Sequence, residues 1–142
     1  MTAMQLHDIE AFFKAYADAF NDLSGDAVAA HWASPSAIAS GEAVTWWPTH
    51  EPMADNMRRL CAVYREAGFE HCRFEVLQAT PMGAHDAFAL LRWTLTRQDG
   101  ALLQRFSTGY HLHRSGGRTK VLLCTAFDED LAAMRANSET QP

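Results

Sequence analysis

Four side chains have the chemistry to move a proton inside a pocket. Tyr16 offers a phenol that can hold a developing oxyanion, and His31, Glu42 and His50 offer groups that can accept a proton. His50 stands with Glu51 where a helical pattern begins, so it is either a general base or one of the polar residues that helix starts ordinarily carry. His31, beside Trp32, is either a pocket group or an interior imidazole with its hydrogen bonds already filled. His111 and His113 share one face of a strand, and the hairpin register sets Asp86 opposite His113, which imitates a two-histidine, one-carboxylate metal site. A hydrated strand end or a salt bridge explains the same residues, and no metal is expected. Cys61, Cys72 and Cys124 are odd in number and lack a CxxC spacing, so they read as buried thiols. No Ser/His/Asp spacing, phosphate loop or dinucleotide fingerprint occurs, and no cofactor is expected.

The elements that must position these residues change character near residue 69. Before it the apolar spacing is helical. Ile9, Phe12, Phe13, Tyr16 and Phe20 make one stripe behind Asp8 as cap, and a short second helix runs from Ser24 through Val28 and Trp32 to the Ser34, Pro35 pair. Two short extended pieces, 36–40 and 43–47, break at Gly41. Thr49 then caps a third helix whose buried stripe is Met53, Met57, Leu60, Cys61 and Tyr64, closed by Gly68. After residue 69 the period becomes 2, with turns at Asp99, Gly100 and at Gly116, Gly117. Two-residue turns there set Trp93 opposite Phe106, Leu91 opposite Thr108 and Ala89 opposite Tyr110; in the second hairpin they set Phe106 against Phe127, Thr108 against Thr125 and Tyr110 against Leu123. That apolar face is expected to meet the helices. The other face collects Leu90, Arg92, Thr94, Arg105, Ser107, His111, His113, Leu122 and Cys124.

Length and charge bound the answer. A chain of 142 residues, 48% hydrophobic, can bury a core and enclose a pocket as one domain, 1–142, with 131–142 as a frayed helix and polar tail. With 12 Lys+Arg against 17 Asp+Glu and no basic run, the footprint that nucleic-acid binding needs is missing. No apolar stretch is long enough to span a membrane, and the opening MTAMQLHDIE lacks a signal-peptide pattern, so a cytosolic protein is expected.

Helix, helix, two short strands, helix and a long curved sheet is an order that resembles the nuclear-transport-factor-2-like cone. The wording resembles it too: YADAFN at 16–21, then Gly25, Asp26 and the segment ending His31, Trp32, Ala33, and the strand Arg92, Trp93, Thr94, Leu95, Thr96 before Asp99, Gly100, are similar to SnoaL-like and ketosteroid-isomerase-like domains. The resemblance implies an α+β, cystatin-like cone: three helices packed on a curved, mainly antiparallel sheet that encloses a cavity. Residue by residue, Tyr16 matches the tyrosine that holds an enolate oxygen in ketosteroid isomerases. The base position falls on Ser40, with Glu42 the nearest carboxylate, and the second acid falls on Thr108 or Gly109. The Asp, Arg, Asp arrangement of limonene-epoxide-hydrolase-like members is absent, since Thr94 follows two residues after Arg92.

The cavity of such a cone would be lined by Tyr16, Trp32, Trp46, Trp47, Trp93, Phe106, Thr108, Tyr110 and Thr125, joined by Gln104 and Glu42. Trp46 and Trp47 are adjacent on an extended segment, so they point in opposite directions and only one can face the interior. Two functions fit: a binding protein for a small, largely apolar organic ligand, or a proton-transfer enzyme of the cyclase, isomerase or dehydratase type with His50, Glu42 or His31 as base. Leu90, Leu122 and Cys124 among the arginines of the outer face lead to the expectation of a homodimer formed through it.

Overall fold

The computed structural model describes residues 2–134. Helix α1 (Leu6–Asn21) starts two residues before Asp8, which serves at the third helical position: its carboxylate takes the N–H of Gln5 at 2.9 Å. The stripe is as its spacing dictates, with Ile9, Phe13, Tyr16 and Phe20 buried. Helix α2 (Gly25–Ala29) is capped by Ser24, whose hydroxyl accepts from the Ala27 N–H at 3.2 Å. It is shorter than its sequence pattern suggests. Trp32 belongs instead to β1 (Trp32–Ser40), because the Val121 N–H donates to the His31 carbonyl at 2.8 Å and draws this backbone into a parallel pair with β6 (Arg118–Ala126).

Strand β2 (Ala43–Trp47) pairs antiparallel with β1, and α3 (His50–Glu66) follows with Met53, Met57, Cys61 and Tyr64 buried. Gly68, at φ 87°, turns the chain into β3 (Phe69–Met82), which leads to β4 (Asp86–Arg97) and β5 (Leu102–Ser115). All six strands form one sheet in the order β2-β1-β6-β5-β4-β3, antiparallel except for β1 against β6. The fold class is the expected α+β one, with a fourth short helix at 131–134 beyond the three helices anticipated. Met134 in that helix is fully buried, so 131–134 packs on the core rather than fraying; residues 135–142 of the expected tail lie outside the described ones.

Two irregularities decide which side chains face inward. In the hairpin at Asp99, Gly100 the register shifts by one between Leu95 and Thr96, and the pairs Trp93 with Phe106, Leu91 with Thr108 and Ala89 with Tyr110 follow as expected. In the second hairpin Leu112 meets Val121, but His111 meets Leu123, so Leu122 is an extra residue on β6. Beyond that bulge Tyr110 meets Cys124 and Thr108 meets Ala126. Cys124 therefore turns inward. Thr125 and Phe127, expected to face the helices, are turned outward, and Phe127 is 56% exposed. The outer band on which a homodimer was expected accordingly gives up Cys124 and gains Leu123 and Phe127.

Candidate functional site

Between the helices and the sheet lies a cavity of about 170 Å³. Its aromatic wall comes from Tyr16 and Phe20 of α1, Trp32 of β1, Tyr64 of α3, Phe69 of β3, Trp93 of β4, and Phe106 and Tyr110 of β5; Thr108, Cys124, Ala126, Asn56, Met57 and Leu60 complete most of the rest. The rings brace one another edge to face: Tyr16 meets Phe20 at 5.2 Å and Phe13 at 6.0 Å between centroids. Their polar ends are satisfied internally. The Trp32 indole N–H donates to the Tyr16 hydroxyl at 3.1 Å, and the Trp93 indole N–H is shared between the Thr108 and Tyr110 hydroxyls, each at 3.1 Å.

Past the sheet's end comes the one acidic group of this wall among the described residues. Glu129, three residues past β6, turns its carboxylate into the cavity, where the Tyr64 hydroxyl donates to Oε2 at 2.5 Å and the Gln104 side-chain amide donates to the same oxygen at 3.4 Å. The segment carrying it is clamped over the sheet. The Ser107 N–H donates to the Asp128 carboxylate, and the Asp130 N–H donates to the Gln104 side-chain carbonyl at 3.1 Å. Burial raises the Glu129 carboxyl above its usual range, opposed by the hydrogen bonds from Tyr64 and Gln104. Burial also raises the phenols of Tyr16, Tyr64 and Tyr110 well above theirs and pushes the Cys124 thiol up to about 12, so all four stay neutral at physiological pH. Among the described residues lining the cavity, Glu129 is the only carboxyl.

Of the residues singled out from sequence, Tyr16, Trp32, Trp93, Phe106, Thr108 and Tyr110 meet at this cavity. Glu42 and His50 do not: both are exposed, Glu42 in the turn between β1 and β2 and His50 on the first residue of α3. Trp47 is buried against Trp32 with ring centroids 6.2 Å apart, behind the wall rather than in it, while Trp46 points away and is 59% exposed. Thr125 is on the outer face. His31 is a half-buried imidazole with a partner, its Nδ1 lying 2.8 Å from the Ala27 carbonyl and its ring edge on to Phe12 and Tyr16. His111 and His113 both contact Oδ1 of Asp86 at 2.8 Å, and these two hydrogen bonds hold that carboxyl below its usual range. Among the described residues no set of three or more His, Cys, Asp or Glu is placed to hold a metal, and no helix is long and apolar enough to cross a membrane.

Glu129 is the residue that sequence reasoning missed. Its neighbours Asp128 and Asp130 make it read as part of a charged tail, and the signal that could have found it is Gln104, whose inward parity on β5 calls for a polar partner.

Residues 7–129 match the sequence model of the family described as NTF2-like protein (DUF6841). Among solved structures, the chain is similar to an NTF-2 like protein of unknown function from Shewanella oneidensis MR-1, with TM-score 0.72 at 14% identity over 88% of this chain and 100% of that one. It is also similar to a domain with a cystatin-like fold from Nostoc punctiforme PCC 73102, with TM-score 0.70 at 15% identity over 89% and 80%. A ketosteroid isomerase-like protein from Erwinia carotovora atroseptica SCRI1043 matches with TM-score 0.60 at 19% identity over 86% and 94%. No curated protein matches in sequence.

Proposed function

Since the chain belongs to the NTF2-like family DUF6841, we propose that its cavity binds a small, largely apolar organic molecule. The observation that supports this reading is a space of about 170 Å³ walled by eight rings yet not filled by them. An apolar cavity of about 150 Å³ is enough to hold benzene, which sets the scale at one ring with short substituents. Trp32 and Trp93 line the cavity, so their emission reports occupancy. Titration with single-ring phenols, ketones, acids and amines should perturb it for at least one class, and Tyr16→Phe should weaken that ligand about three- to tenfold by removing one hydrogen bond. A panel that leaves the emission untouched refutes the reading, and unchanged affinity in Tyr16→Phe assigns Tyr16 to packing alone.

A second reading, proton transfer, is favoured by Glu129. A carboxyl raised by burial is suited to take and return a proton, and neutral phenols stand nearby to hold an oxygen that gains charge. Under this reading a bound ketone exchanges its α C–H for deuterium in D₂O, and Glu129→Gln slows the exchange at least a hundredfold. Exchange no faster than in buffer leaves binding alone. A homodimer formed through the outer face and a cytosolic setting belong to the same proposal; Leu123 and Phe127, exposed side by side with Thr125, support the dimer. A sedimentation mass at the 15.8 kDa of one chain would count against it.

A further inference from the structure

The charge balance of the cavity says more about its occupant. Among the described residues, Glu129 is the only lining side chain able to carry charge near neutral pH, and no Lys, Arg or His joins it. Both donors that reach it, Tyr64 and Gln104, converge on Oε2; neither meets Oε1. The other titratable groups facing it are Tyr64 from α3, Tyr16 from α1, Tyr110 from β5 and Cys124 from β6, all neutral, and the adjacent Asp128 adds negative charge. A carboxylate in such surroundings is costly unless an opposite charge meets it, and none of the described lining residues supplies one.

The rings favour the same partner. Tyr64, which touches Glu129, is flanked by Phe20 at 5.9 Å and stacked on Phe69 at 5.5 Å between centroids. Ring faces carry negative potential and attract cations, most strongly where water is excluded. An anionic ligand would meet like charge with no cation among the described lining residues to offset it.

We propose, resting on the reading of this cavity as a ligand site, that its occupant is a small amine whose ammonium pairs with Oε1 of Glu129 while its apolar part lies among the rings. An ammonium beside Oε1 favours the charged form of the Glu129 carboxyl, any proton it holds passing to solvent so that the two opposite charges remain.

The test compares benzylamine with benzyl alcohol, of similar size but neutral, by calorimetry and tryptophan emission at pH 7 on the full chain and on Glu129→Gln. Benzylamine is expected to bind the parent at least tenfold more tightly than the alcohol. In Glu129→Gln the two should come within about threefold, most of the change falling on the amine. Should that variant lose its fold by circular dichroism, Glu129→Asp takes its place, its shortened carboxylate expected to cut the preference at least threefold. Alcohol binding without preference for the amine, or a preference undiminished in the variant, overturns the amine assignment and leaves the cavity reading intact. Binding of neither probe overturns the amine assignment, and the cavity reading is then decided by the wider panel above.

Discussion

Gly25→Ala should destabilise the fold by about 3 kcal/mol or more, although alanine is the better helix former by about 1 kcal/mol. A methyl group added at Gly25 would lie 2.5 Å from the Cα and 2.6 Å from the backbone nitrogen of Arg58, and 2.8 Å from its Cγ. Backbone cannot swing aside as a side-chain tip can. Helices α2 and α3 would have to separate, and α3 carries Met57, Leu60 and Tyr64 of the cavity wall. The exposed ion pairs of Arg58 with Asp26 and Glu51, 2.7 and 2.8 Å, lie beside the same contact and are too solvated to offset the loss. Urea unfolding followed by circular dichroism measures the effect. A variant as stable as the parent would mean that the helices do not approach this closely.

Trp93→Ala should cost about 3–5 kcal/mol, a large share of the 5–15 kcal/mol that holds a domain of this kind together. The indole is the crosspiece between sheet and helix: its ring lies 5.6 Å from Phe74, 6.1 Å from Tyr16 and 6.5 Å from Phe20 between centroids, and its N–H serves two hydroxyls. Truncation removes those contacts and runs the resulting void into the existing cavity. Trp93→Phe keeps a ring and loses the N–H, so its cost should be roughly 1–2 kcal/mol. Denaturant midpoints for the pair separate packing from hydrogen bonding; equal losses in the two variants would place the stabilisation in the N–H instead.

Much of the architecture was legible because it rests on periodicities that packing must obey. The α1 stripe, the change of period at residue 69 and the pairing of Trp93 with Phe106 follow from which faces can be buried together. The Ser24 cap was legible for the same reason, being a local hydrogen bond. Trp32 was misplaced on a helix since nothing local to it announces the parallel pairing with β6, a contact made almost ninety residues away. The Leu122 bulge was invisible too: no glycine or proline marks it, and it arises where β6 must satisfy β5 on one side and β1 on the other. Thr125 moved out of the cavity list and Cys124 into it on that account. Glu42 and His50 were judged by type, but their exposure depends on how the β1–β2 turn and the start of α3 project from the body of the fold.

The extra residue at Leu122 has a consequence for how such a cavity can diversify. Strand β6 and the residue that follows it carry two interleaved vocabularies, one of small and sulfur-bearing groups, Cys124 and Ala126, and one of bulkier groups, Leu123, Thr125 and Phe127. Which vocabulary is read by the interior is set by a count, not by any residue's identity. Losing or gaining one residue between Gly117 and Leu122 exchanges the two sets in a single step, placing a phenyl ring and a hydroxyl where the space now is. Length variation in that short hairpin therefore acts as a compound mutation, and a gap there in a comparison of relatives marks a change of cavity contents even where every aligned letter is the same.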